Sequence, residues 1–210
     1  MEDLEVKCSN DGLRGNITVI SNFTCSSNYV LEFDTFVFLL NNQHVISDDS
    51  DVLYYNSKLN EILDCPGGQT TVPISRDRSV WGPMSEYEYE LYTNINLEKV
   101  GLTDNDCYDA VDINLDLVDK SIAEIVFVHN EYSTITGNKI NAKIENLVLD
   151  NFIVGMPSSN LISKNTLMID VSNSYCFLSG KFVRNTNGTW SYVSCLEYKA
   201  SIEDYFNLYA

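Results

Sequence analysis

Carboxylates set close together dominate the chemistry this chain could do. Asp48, Asp49 and Asp51 fall within SDDSDVLYYN, and Asp104, Asp106, Asp109 and Asp112 fall within TDNDCYDAVDIN. Glu32 and Asp34 form a third pair, spaced to share one face of a strand. Calcium takes six to eight oxygen ligands at roughly 2.3–2.6 Å, and acidic loops at one end of a fold can supply them. Without a cation, such crowding of like charge raises carboxylate pKa values and costs stability. Neither loop is an EF-hand. Starting that pattern at Asp104 puts Asp109 where its glycine belongs and Leu115 where its bidentate Glu belongs. On composition alone, solvated loop acids are favoured over calcium ligands.

Other chemistries find less support. The imidazoles are His44 and His129, and the six cysteines (Cys8, Cys25, Cys65, Cys107, Cys176 and Cys195) form no CxxC pair, which argues against zinc. Free, mostly buried thiols in a reducing compartment are the expectation. There is no G-x-S-x-G elbow, and Cys65-Pro66-Gly67-Gly68 reads as a turn rather than a phosphate cradle. His129 follows the apolar run IVFV at a strand end, where a structural role is favoured over a catalytic one. A carboxylate pair for glycoside hydrolysis depends on spacing that exists only in three dimensions. The chain is therefore expected not to be an enzyme, with a hydrolase as the weakest alternative.

The elements that must position these groups read as strands. Segments 16–23, 29–40, 52–55, 87–95, 139–149, 166–171, 176–184 and 189–198 alternate apolar and polar residues or carry β-branched and aromatic side chains, and 122–128 is a nearly continuous apolar run that fits a central strand. Asn187-Gly188 supplies the turn of a hairpin between the last two strands. Ser201 can cap a helix over 201–209, with Ile202, Tyr205, Phe206 and Tyr209 on one face. Many short strands without a βαβ rhythm predict an all-β fold, a sandwich of two mainly antiparallel sheets with a short C-terminal helix. Segment 57–102 breaks the rhythm and reads as an insertion in a single domain spanning 1–210.

Composition narrows the partners. Thirteen Lys and Arg face 30 Asp and Glu, giving a net charge of −17. That balance disfavours nucleic acid and anionic membrane surfaces, both of which need clustered basic residues. No apolar run approaches the roughly 20 residues that span a bilayer, and MEDLEVKCSN has no apolar signal region, so a cytoplasmic location is expected. A hydrophobic content of 44% is enough for a packed core.

The order of these segments resembles the TerD family, named for bacterial tellurium resistance. An acidic strand running into F-L-L is matched by LEFDTFVFLL, and an acidic turn running into aromatic-Tyr-Asn by SDDSDVLYYN. An acidic loop, a V-D-L strand end and a buried I-V-F strand ahead of His are similar to TDNDCYDAVDINL, Ile125-Val126-Phe127 and His129-Asn130. A hairpin and terminal helix are similar to Gly180–Arg184, Gly188-Thr189-Trp190 and SIEDYFNLY. The sequence departs from the family in having Glu32 for Asp, Asn130 for Asp, and no clear glycine-rich acidic loop.

The resemblance implies a non-catalytic, calcium-binding β-sandwich with a stress-response role. Its positions carry over as one or two Ca2+ ions held by Glu32, Asp34 and Asp51, with Asn56 as a neutral oxygen and Asp104, Asp106 and Asp109 as further ligands. The alternative is an interaction module that kept the fold without calcium and binds a protein partner through segment 57–102, using Trp81 and the row Tyr87, Tyr89 and Tyr92.

Overall fold

The computed structural model describes residues 5–25, 33–65, 68–85, 88–89, 97–103, 106–131, 147–170 and 176–210, without the side chains of 5–9 and 65. Its strands are β1 (Glu5–Leu13), β2 (Asn16–Thr24), β3 (Phe33–Asn41), β4 (Val52–Leu53), β5 (Asn60–Cys65), β6 (Gly68–Pro73), β7 (Val80–Ser85), β8 (Tyr108–Asn114), β9 (Ile122–Glu131), β10 (Leu147–Gly155), β11 (Asn160–Ile169), β12 (Cys176–Arg184) and β13 (Trp190–Lys199), and helix α1 (Ile202–Tyr209) follows them. One sheet has the order β1-β13-β12-β9-β3-β4 and the other β11-β10-β2-β8-β7, while β5 and β6 form a separate hairpin. Neighbouring strands pair antiparallel throughout. The expected all-β sandwich is what the chain adopts.

The sheets stack in one sense. Asn10 of β1 donates to Ser163 of β11 at 3.0 Å, and Thr35 of β3 donates to Asp109 of β8 at 2.5 Å, so the two strand orders run alongside each other. Between them lies an apolar cluster that includes Val19, Val37, Val111, Phe127, Ile153, Phe182 and Trp190. A second interior cluster gathers Phe33, Leu147, Leu149, Leu167, Ile169 and Phe177.

Each sheet also buries much of its outer face, which explains why β9 reads as a nearly unbroken apolar run and why β3 loses its alternation over Phe36–Leu40. Phe36, Phe38, Val126 and Val128 point outward from the first sheet and are covered by Ile202, Tyr205 and Tyr209 of α1. The cap of α1 is as expected, with Ser201 N–H donating to the Asp204 carboxylate at 3.1 Å. Tyr205 fixes the helix by donating to Glu197 O at 2.6 Å and accepting from Leu178 N–H at 2.9 Å. The outer face of the second sheet packs Ile20, Ala110 and Phe152 against Val72, Met84, Tyr89, Leu97 and Val100.

Segment 57–102 is thus more ordered than its sequence suggests. It supplies the β5–β6 hairpin and β7, which pairs with β8 at the sheet edge. Its prolines and glycines hid these short strands. Gly82 is required where β7 crosses β8: it has a φ of 108°, and a Cβ there would meet Ala110 O at 2.6 Å. The expected strand 87–95 is not extended at its two described residues, Glu88 and Tyr89, which are helical; its other residues lie outside the described ones. Of the expected strand 139–149, residues 147–149 are described and open β10.

Candidate functional site

Strands β3, β8 and β9 bring carboxylates to one end of the sandwich. Asp34 stands near the start of β3, paired across the ladder with Asn130 of β9, and Phe33 beside it pairs with the buried Glu131. Asp109 lies at the start of β8 opposite Ser21 of β2, and its Oδ2 accepts the Thr35 hydroxyl at 2.5 Å. Asp106 folds back on its own loop, accepting from Thr103 N–H at 2.7 Å and Thr103 Oγ1 at 2.9 Å. Alternation along β3 sends Thr35 inward and Asp34 to the opposite face, so Asp34 and Asp109 flank the sheet rather than face each other. Asp109 and Asp112 are strand residues, not loop acids, because Tyr108, Ala110, Val111 and Ile113 around them are buried on both faces of β8. Among the described residues, no three His, Cys, Asp or Glu side chains form a group that could hold a metal. Glu32 and Asp104 lie outside those residues.

Asp51 belongs to a different place. The β3–β4 register, Val37 to Leu53 and Phe38 to Val52, puts Val52, and so Asp51 just before it, at the Phe38–Leu39 end of β3. Five residues separate Leu39 from Asp34, about 16 Å along a strand, so one ion cannot take both carboxylates. Asp48 caps the 3-10 turn at Asp49–Asp51, accepting from Ser50 N–H at 2.9 Å and Ser50 Oγ at 2.6 Å. Those bonds hold its pKa below the usual carboxylate value. Asp51 is buried, with Oδ1 3.6 Å from Arg76 Nη2 and Oδ2 without a hydrogen-bond partner among the described residues. Burial raises its pKa, and Arg76 opposes that rise. Asn56 lines an open cleft of about 640 Å³ with Asp48, Asp49, Tyr54, Lys58 and Phe206.

Two buried polar constellations carry the strongest electrostatics. His129 is fully buried within β9, and desolvation pushes its pKa down to about 3, so the ring is neutral. Its Nε2 lies 2.8 Å from Ser179 Oγ and its Nδ1 3.0 Å from Thr35 Oγ1. Thr35 gives its single proton to Asp109, so it accepts from Nδ1–H, and Nε2 in turn accepts from Ser179. The chain of bonds Ser179 to His129 to Thr35 to Asp109 ties the two sheets together. With no access to solvent and both nitrogens engaged, His129 has the structural role its position in the sequence favours.

Asp112, on the outer face of β8, was not among the expected site residues. Its Oδ1 accepts from Thr18 at 2.5 Å and from Tyr89 at 3.1 Å. Burial pushes its pKa up to about 6, against those two bonds. It lines a cleft of about 600 Å³ with Asn16, Asn114, Trp81, Arg78 and Leu117. Nothing in the sequence marked it, since a polar residue between the inward-facing Val111 and Ile113 is what strand alternation expects. Tyr89 is fully buried against it, and Trp81 is half-buried, with the Arg78 guanidinium 5.4 Å from its ring centroid.

Cys176 and Cys195 are buried, whereas Cys25 is half-buried and Cys107 exposed. Among the described residues no helix is long and apolar enough to cross a membrane.

No protein-family model matches the sequence, and no curated protein matches it. Solved structures do. A homologue of the telluride resistance protein TerD from Streptomyces coelicolor A3(2) superposes with a TM-score of 0.51 at 10% identity, covering 90% of this chain and 92% of that one. A protein described as of unknown function superposes with a TM-score of 0.52 at 11% identity, covering 92% and 95%. At such identities the likeness is one of fold, and it extends over almost the whole of each chain. With its two stacked antiparallel sheets and a helix over the first, this chain is a divergent protein of TerD-like fold.

Proposed function

We propose that this chain is a non-catalytic, calcium-binding β-sandwich whose ion sits at the end where β3 and β8 begin. The observation that carries the reading is the Thr35–Asp109 bond. It fixes the start of β8 beside the start of β3, so Asp34, Asp106 and Asp109 share one end. Hard cations favour such oxygen-rich ends, and a chain of net charge −17 gains from neutralisation there. Asp51 is left out of the ligand set, because Arg76 already compensates it and the register separates it from Asp34. The stress-response character of the family follows only if calcium does.

Calorimetric titration of calcium into chelator-stripped protein tests this. Saturable binding is expected, lost in Asp34→Asn and kept in Asp51→Asn. No heat from a protein that remains folded would refute it.

A second reading, a protein-interaction module, is favoured by the β5–β6 hairpin, which pairs with neither sheet and leaves Ile62 66% exposed. Ile62→Asp would then abolish partner binding without changing the melting temperature.

A further inference from the structure

The two interior clusters are separated by a level at which inward-facing strands carry polar residues. On β2 the inward sequence is Val19, Ser21, Phe23, and on β3 it is Val37, Thr35, Phe33. On β10 it is Ile153, Asn151, Leu149, and on β13 Tyr192, Ser194, Leu196. His129 follows Phe127 inward on β9, Asp109 precedes Val111 on β8, and Ser179 sits at the bulge of β12 between Phe177 and Phe182. The register sets Asn151, Ser21 and Asp109 side by side across one sheet. These residues form a belt crossing the whole interior, with Ser21, Thr35, His129, Asn151, Ser179 and Ser194 each no more than 2% exposed.

Half of the belt is satisfied internally. The chain from Ser179 to Asp109 accounts for one side, and Ser21 Oγ donates to Asn151 Oδ1 at 2.9 Å. On the other side, Asn151 Nδ2 and Ser194 Oγ have no hydrogen-bond partner among the described residues, though both are buried. Since β1 meets β11 and β3 meets β8, β13 lies over β10, so these two groups belong to facing strands at one level. Buried polar groups are rarely orphaned, and internal water typically makes about three bonds to such groups. Ser179 Oγ and Ser21 Oγ each donate elsewhere and keep a lone pair to accept with. A cation fits worse, because the open groups include an amide N–H donor, which a cation repels.

We propose that the belt is a built site for internal water, anchored by Asn151 Nδ2 and Ser194 Oγ. The water joins the two sheets on the β13–β10 side, as the His129 chain does on the β3–β8 side.

High-resolution crystallography of the full chain, paired with the thermal stability of Ser194→Ala, tests this. The expected density is an ordered water within about 3.2 Å of both anchors. Ser194→Ala should lower the melting temperature by about 2–4 °C, because it strands the water and its other partners. If the hydroxyl were dry, its removal would relieve an unsatisfied group and raise the melting temperature. That rise would overturn the proposal. So would direct contact between the two anchors with no water, or density at about 2.4 Å from several oxygens, the mark of a cation. If Ser194→Ala fails to fold, the wild-type density decides.

Discussion

His129 and Asp112 are displaced in opposite directions by the same cause. Burial withholds a proton from the imidazole and keeps one on the carboxyl, giving pKa values of about 3 and about 6. The hydrogen bonds require the Nδ1–H tautomer of His129. Long-range nitrogen–proton correlation spectra should therefore show one protonated and one bare ring nitrogen from pH 8 down to pH 4. An imidazolium pattern at pH 5 would contradict the burial. The consequence for stability follows from proton counting. Below pH 6.5 the unfolded chain protonates His129 while the folded chain does not, which destabilises the fold as pH falls. Between about pH 6 and 3.8 the folded chain holds a proton on Asp112 that the unfolded chain lacks, which stabilises the fold as pH falls. The two slopes cancel across that window. Asp112→Asn removes the second and leaves the first, so its stability should drop by about 1.4 kcal/mol per pH unit more steeply than that of the wild type. Urea unfolding at pH 5.5 and 4.5 measures this, and equal slopes for both proteins would refute it.

At the scale of elements, β12 depends on one missing side chain. Its pairing with β9 and β13 slips between Leu178 and Gly180, and a Cβ on Gly180 would lie 2.3 Å from Tyr192 Oη and 2.8 Å from its Cζ. Tyr192 is fully buried and packed on Phe182 at 4.9 Å between centroids, so it has nowhere to go. Gly180→Ala should cost about 1–3 kcal/mol, read as a lower urea midpoint with an unchanged m-value. A neutral result would mean the tyrosine ring can move. This bulge was not legible in FLSGKF, where glycine passes for an ordinary strand residue. What the sequence did reveal was local: the alternation of β2, β3 and β13, the continuous run of β9, and the cap of α1. What it hid was non-local. The separation of Asp51 from Asp34 is a matter of β3–β4 register, and two acidic stretches close in sequence gave no sign of it. The belt was equally invisible, because Ser21, Thr35, Asn151 and Ser194 each look like a polar interruption until the sheets stack.

For the whole molecule, the belt divides the interior into unequal parts. The larger cluster is closed by Trp190, which donates to Leu115 O at 3.1 Å with the Arg184 guanidinium 4.3 Å over its ring. The smaller, centred on Phe33, Leu149, Leu167 and Phe177, lies on the side of the belt where β3 begins. Local opening follows the density of buried apolar contacts, so the smaller part should open at lower free energy than the larger. Calcium at the carboxylate end would then act on that part first. Ligand binding stabilises by RT ln(1 + [L]/Kd), about 2.7 kcal/mol at a hundredfold excess over Kd. That corresponds to roughly a hundredfold slowing of exchange for amides that open with the site. Native-state hydrogen exchange should therefore find Leu149 and Phe177 less protected than Val37 and Phe127 in chelator. Added calcium should slow the first pair strongly and the second little. Equal protection in chelator would show that the belt does not divide the fold, and an equal calcium effect on both pairs would place the ion's influence on the fold as a single cooperative unit.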